Sequence, residues 1–293
     1  MTLPSEAVSA PQRLEAPAKL NLSLSVIGRR PDGMHLLDSV LVLLELSDRL
    51  LLMPGCSGLR LEGAGVSELP PGADNLAWRG LVAGLGGSPE LACLTLEKRI
   101  PVAAGLGGGS SDAAAAWRLG RRASGTPDEA DAETLATLAR IGADVPFFAA
   151  QRPAGRVTGI GEIVQPAKAP TGTPHVVLAH PPFGLSTAAV FAELQPDEWS
   201  EVARPGVNDL LAPARRLRPE LDDVFRLVAG AGGEPKLSGS GPTVYALTDE
   251  AERAAAIAAR LERGGLRATQ TRIRSQPASI EAVAPMDGDE TEE

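Results

Sequence analysis

The stretch Pro101-Val-Ala-Ala-Gly-Leu-Gly-Gly-Gly-Ser-Ser-Asp-Ala-Ala-Ala-Ala116 constrains this chain most, because a glycine-rich turn runs directly into a helix with two serines at its mouth. Gly105, Gly107, Gly108 and Gly109 allow φ > 0 and close approach of the backbone to an anion. Ser110 and Ser111 add hydroxyl donors beside the free N–H groups and positive dipole end of the helix. In outline this is a phosphate cradle. Two better-known phosphate loops do not fit it. A Walker A loop carries Lys directly after its last glycine, where Ser110, Ser111 and Asp112 stand here. A dinucleotide fingerprint counted from Gly105 finds Ser110 at its third glycine. Taken alone, the turn reads more readily as a plain strand-to-helix connector, so other segments must decide.

Composition narrows the field. The 293 residues suit one large domain or two ordinary ones. A hydrophobic content of 43% and a mean hydropathy of −0.01 fit a soluble globular chain. No apolar run is long enough to cross a bilayer, and Met1 to Ala16 lacks the charged start and apolar middle of a signal peptide, so a cytoplasmic protein is expected. Cys56 and Cys93 are too few and too separated for a disulfide framework or a cysteine zinc site, and two reduced thiols are expected. His35, His175 and His180 show no metal-ligand spacing. The formal charge is −9, but Asp287, Asp289, Glu290, Glu292 and Glu293 carry five of those charges; without them the balance is −4. That acidic end, residues 276–293, reads as a solvated, disordered tail. With no basic stripe and only 3% aromatics, neither a nucleic acid nor a membrane is an expected partner.

Leu20, Leu22, Leu24 and Val26 alternate with polar or small residues, the signature of a half-buried strand beginning near Ala18 and carrying Lys19. After the turn Arg29–Gly33 come apolar runs at Val40–Leu46 and Arg49–Met53, expected as separate segments. A helix is predicted over Asn75–Leu85 with Asp74 as N-cap and Leu81, Val82 and Leu85 as its stripe. Leu91–Glu97 reads as a strand, and helices follow at Ser110 to about Arg122 and Asp131–Arg140. Beyond Ala150 the strands shorten, as at Val157–Ile160 and Val176–Ala179. Helical periodicity returns at Thr187–Leu194, Pro219–Ala229 and Asp249–Arg263. A second glycine turn, Leu237-Ser-Gly-Ser-Gly-Pro242, precedes a strand at Val244–Leu247. Without regular βαβ repetition, an α+β fold in two lobes is expected, divided at about residues 155 and 156.

Three segments now line up: Pro17-Ala-Lys-Leu-Asn21, Gly105–Ser111 and Leu237–Pro242. In this order they resemble the three motifs of the GHMP kinase superfamily, and the resemblance spans roughly Pro17 to Leu247. Gly28-Arg-Arg-Pro-Asp-Gly33 with His35, Glu97-Lys-Arg-Ile-Pro101, Gly142-Ala-Asp-Val-Pro146 and Gly159-Ile-Gly-Glu162 are most similar to the branch that phosphorylates a cytidine diphosphate sugar alcohol. Ordered motifs together are far more specific than one glycine loop. The resemblance implies a two-lobed GHMP kinase-like fold, monomeric or homodimeric, that uses ATP and Mg²⁺ on a small-molecule alcohol. Phosphoryl transfer needs a charge cradle, a cation and a group to orient or deprotonate the acceptor hydroxyl. By resemblance Asp144 is that base, and Lys19 stands beside it to keep it ionised.

The same resemblance assigns the triphosphate to Gly105, Leu106, Gly107, Gly108, Gly109, Ser110 and Ser111, with Ser110 or Ser111 near the metal, the adenosine end to Asn75 and Lys98, and Pro101 to the nucleotide site. On the acceptor side it assigns His35 and Phe191 to the base, and Asn21, Thr187, Gly239 and Ser240 to the sugar alcohol or its phosphates. Where the family carries a Tyr stacking on the cytosine, this chain has Met34. A thioether on an aromatic ring gives about 0.3–1.5 kcal/mol, so the base site is expected to stack more weakly. Two alternatives stay open: a GHMP kinase for homoserine, mevalonate or a sugar, and a nucleotide-binding regulator without catalysis.

Overall fold

β1 (Gln12–Arg29) is buried along almost its whole length because it passes through three cores in turn. Leu14 and Ala16 enter the first, Ala18 and Leu20 the second, and Leu24 and Val26 the third. It therefore begins six residues before Ala18 and is covered on both faces; alternation predicted only half-burial, since neighbouring elements close over the polar side as well. The structure, a computed structural model, describes residues 10–87, 92–171, 174–200, 204 and 206–283.

After β1 the chain runs through β2 (His35–Pro54), β3 (Gly58–Gly63), α1 (Leu76–Leu85), β4 (Ala92–Lys98), α2 (Gly108–Ala123), α3 (Ala132–Leu138), α4 (Val145–Ala149), β5 (Ala154–Gly159) and β6 (Ile163–Pro166). Then follow β7 (His175–His180), α5 (Thr187–Glu193), α6 (Leu211–Leu217), α7 (Leu221–Gly230), β8 (Lys236–Leu237), β9 (Val244–Thr248), α8 (Ala251–Arg263), β10 (Arg267–Arg272) and β11 (Glu281–Ala282). The two apolar runs expected apart form the one long strand β2, which pairs with β5 over Leu37–Val42 and with β4 over Arg49–Pro54. The first sheet has the order β11-β1-β2-β4-β3, with β5 on β2 and β6 on β5. The division expected at residues 155 and 156 thus falls inside β5, and residues 281–282 return to this sheet.

The second sheet, β10-β7-β9-β8, is antiparallel. Along β7 the side chains alternate between two cores: Val177 and Ala179 face α7 and α8, whereas Val176 and Leu178 pack with Ala18, Leu20, Val42 and Leu44 of the first sheet. The lobes are also stitched along β1. Leu24 N–H donates to Val207 O (2.8 Å), Ser200 N–H to Val26 O (2.9 Å), and the Tyr245 hydroxyl to Asn21 O (2.9 Å).

Two further expectations are corrected. Asn75, not Asp74, caps α1: its Oδ1 accepts from Ala77 N–H at 2.9 Å, while Asp74 closes a 3₁₀ turn (Gly72–Asp74). Cys56 and Cys93 are joined in a disulfide. Their 37-residue separation hid a simple proximity, because Met53 of β2 and Gly58 of β3 both pair with Cys93 and Cys56 lies in the turn between them. Residue 91, where β4 was expected to start, lies outside the described residues, as does 284–293 of the acidic end. Residues 276–283 include buried Ala278, which packs into the core against α2.

Candidate active site

The glycine turn ends at Gly107, which takes φ +70° as the N-cap of α2 and offers no side chain to the helix amides. Those free N–H groups face a cleft of about 470 Å³ between the lobes. α2 is held in place by close contact with α1, where Gly80 and Gly84 leave room for the Ala113 and Trp117 carbonyls. The second glycine turn closes on the first. Ser238 Oγ donates to Gly105 O at 3.0 Å, and Gly105, at φ +73°, sits so near Ser238 O and Gly241 O that a Cβ would lie 2.5 and 2.7 Å from them. Gly105→Ala should therefore part the two turns. The cost should be about 1–3 kcal/mol in stability, read by urea unfolding.

Lys19 comes up from β1 beneath this loop, 3% exposed, its stem under Gly107 and its ammonium beside Gly239. Nζ donates to Asn21 Oδ1 at 2.5 Å and lies 3.7 Å from Asp144 Oδ2. Burial holds this ammonium below the usual lysine value, against the opposing pull of the Asp144 carboxylate. Asn21 in turn donates to Ser39 Oγ at 2.8 Å. Asp144 occupies the N-cap of α4 but makes no capping bond, so its carboxylate is left to the cleft. Gly142 brings this segment against Ser110 Oγ, beside the mouth of α2.

The remaining expected residues divide. Pro101, Gly105, Leu106, Gly107, Gly108, Gly109, Ser110, Thr187, Phe191, Gly239 and Ser240 line the cleft, and Thr187 Oγ1 and Ser240 Oγ lie 2.9 Å apart. Ser111 does not: its hydroxyl is buried on the far side of α2 without a partner among the described residues. Asn75 is also off the cleft, its amide spent on the α1 cap and on Pro70 O. Met34 is 46% exposed and off the cleft. His35 is stacked on Phe191.

Lys98 reaches the cleft wall, but its ammonium is bound to two carboxylates, Asp48 Oδ2 and Asp112 Oδ2, the latter at 2.7 Å. All three side chains are buried. Asp48 Oδ1 also accepts from Ile100 N–H at 2.8 Å, so the triad ties β2, the end of β4 and the first turns of α2 together. Burial opposes the Lys98 charge, yet Asp112 and Asp48 outweigh it and hold the ammonium above its usual value. Burial pushes the Asp112 carboxyl well up. The sequence reading missed Asp48 and Asp112; the Asp112 position just after two serines was the one available signal. Lys98→Met leaves two buried carboxylates facing each other and should cost about 3–5 kcal/mol in chemical denaturation.

A glycine turn opening onto a helix N-terminus, opposed to a buried lysine and a cleft-facing carboxylate at a lobe boundary, is suited to moving a phosphoryl group onto a small acceptor. Residues 75–152 match the GHMP kinases N terminal domain and residues 191–265 the GHMP kinases C terminal domain, and the chain belongs to the GHMP kinase family. Proteins named 4-diphosphocytidyl-2-C-methyl-D-erythritol kinase are its relatives over most of their length. That of Paracoccus denitrificans is 41% identical, covering 85% of this chain and 92% of its own. That of Rhodopseudomonas palustris is 37% identical with the same coverage. A crystal structure of 4-(cytidine 5'-diphospho)-2C-methyl-D-erythritol kinase superposes with a TM-score of 0.72 at 34% identity, over 89% of this chain and 98% of that one. Homoserine kinase from Cytophaga hutchinsonii, at 17% identity and a TM-score of 0.66, shares the fold.

Proposed function

We infer that the protein is an ATP-dependent kinase that phosphorylates the 2-hydroxyl of 4-diphosphocytidyl-2-C-methyl-D-erythritol in the non-mevalonate route to isoprenoids. The observation that carries this reading is the meeting of Lys19 and Asp144 at 3.7 Å below the open end of α2. The named relatives supply the acceptor.

In this reading the amides at Gly108, Gly109 and Ser110 receive the phosphates of ATP, and the acceptor hydroxyl enters beside Asp144. Asp144 accepts the hydroxyl proton or steers its lone pair toward phosphorus. Lys19 keeps Asp144 ionised and offsets charge on the phosphoryl oxygens as they move between donor and acceptor. Its ammonium is pre-oriented by Asn21, so little reorganisation is needed during transfer. On this reading Asn21, Thr187, Gly239 and Ser240, all at the cleft wall, meet the sugar alcohol and its phosphates, and Phe191 carries the base.

Among the described residues no three His, Cys, Asp or Glu side chains gather into a metal site. Mg²⁺ keeps most of its waters and takes further ligands from substrate phosphates, so it asks little of the protein itself. Ser110, whose side chain lines the cleft while that of Ser111 is buried elsewhere, is the residue that would hold it. When bound, the ion neutralises charge on the β- and γ-phosphates.

The test is direct: purified protein, ATP, Mg²⁺ and the cytidine alcohol should give ADP and the 2-phosphate. Folded protein that turns over homoserine or mevalonate instead would reassign the acceptor. ATP binding with no turnover of any of them would mark a silent nucleotide binder.

A further inference from the structure

One aromatic residue beside the acceptor end of the cleft has no part in the reading above. Phe191 lines the cleft, and His35, which does not, is stacked on it with centroids 5.2 Å apart and 27° between the planes. Trp199 meets the His35 ring edge-on, at 5.9 Å and 89°. Its indole Nε1 is buried and has no partner among the described residues.

The surroundings hold Trp199 rather than let it drift. It follows a 3₁₀ turn, Pro196–Glu198, whose Glu198 accepts from Gln195 N–H at 2.8 Å. Arg216 of α6 bridges Glu198 to Glu193 at the end of α5, and Ser200, the next residue, donates its N–H to Val26 O. Phe191 itself sits on a two-turn helix with one buried residue, Val190, and its half-buried ring packs with Trp199 against the core that holds Val190 while its other side reaches the cleft. The His35 ring, itself held edge-on by Trp199, adds a restraint on the angle of the Phe191 ring, through one stack and one edge contact.

We propose that Trp199 is a specificity-determining positioning residue of the acceptor site, which acts through His35 to hold Phe191 at the angle a pyrimidine base needs to lie on it. It does for the base site what a second aromatic wall at Met34 would otherwise do. The proposal rests on the acceptor being a cytidine diphosphate alcohol.

Steady-state kinetics test it. Trp199→Leu should raise the KM for the cytidine alcohol about two- to tenfold, leaving kcat and the KM for ATP within about twofold. Trp199→Phe, which keeps an aromatic edge, should restore most of the loss, and Met34→Ala should shift KM less than Trp199→Leu does. Cytidine monophosphate, used as a probe, should change the tryptophan emission of the wild type and not that of Trp199→Phe, a readout that also serves if Trp199→Leu fails to fold. An unchanged KM in Trp199→Leu overturns the proposal. So does a joint fall in kcat and rise in both KM values, which marks a merely structural side chain, or an emission change that survives in Trp199→Phe. Wild-type protein inactive on the cytidine alcohol would instead sink the assigned reaction, and the cytidine monophosphate titration would still judge the ring cluster.

Discussion

Replacing Asp144 with Asn lowers kcat by about 10²- to 10⁴-fold, the range general-base contributions span, while ATP affinity stays within about twofold. The separation follows from placement. Asp144 makes no capping bond to α4, so an amide of the same shape removes no hydrogen bond that the fold uses. Among the described residues its ion-pair partner is Lys19 at 3.7 Å, and the amides at Gly108–Ser110 belong to another element. Single-turnover phosphoryl transfer, paired with calorimetric titration of a non-hydrolysable ATP analogue, reads the two quantities apart. Normal turnover in this variant would remove Asp144 from the chemistry.

Lys19→Met should lower kcat by about 10²- to 10³-fold, as loss of a fixed charge-stabilising group does, yet leave a protein that melts within a few degrees of the wild type. A buried ammonium is expensive to desolvate, and a thioether of similar length fills the space under Gly107 without that cost. Against this gain stands Asn21 Oδ1, which loses its donor at a cost of about 1–3 kcal/mol. The pH dependence separates the terms. Because the folded lysine loses its proton below the ordinary value of 10.5, the unfolded chain binds more protons in the interval beneath it. Wild-type stability therefore gains on the variant as pH rises toward 10.5. Urea titrations of both proteins across alkaline pH measure that change, and a constant difference would show that burial does not lower the Lys19 ammonium below its ordinary value.

Much of the site could be read from the sequence because its parts are backbone features. The glycines from Gly105 to Gly109, the serine after them and the Gly142–Pro146 bracket around Asp144 are local patterns, and each placed its residues at the cleft. What escaped depends on pairing between distant segments. Asp48 means nothing until the β2 and β4 register brings it to Lys98, and Lys98, which motif position alone assigned to the nucleotide, has its ammonium held by two carboxylates. The Cys56–Cys93 disulfide was missed for the same reason, since a 37-residue interval hides a turn between two strands that pair with the same residue. Asn75 shows a different limit: a residue that matched a ligand position does the ordinary work of a helix cap. Trp199 lies eight residues past Phe191 in a polar loop, with no periodicity to mark it.

The strand that carries Lys19 has a bearing on how the molecule is made. β1 precedes every other described element, yet its partners include β2 nearby, Val207 and Tyr245 far downstream, and β11 at residues 281–282. Contacts across such intervals close slowly, since the loop entropy has to be met before the pairing returns anything. An emerging chain can therefore form the β1–β2 hairpin early but must hold its outer edge unpaired through most of synthesis, an exposure that favours sticking to other chains. Full protection of the Leu24 and Val26 amides, which donate to Val207 O and Asp209 Oδ2, should thus appear late in refolding, after that of β2, and the strand that carries Lys19 is locked in place only once these distant segments have joined it.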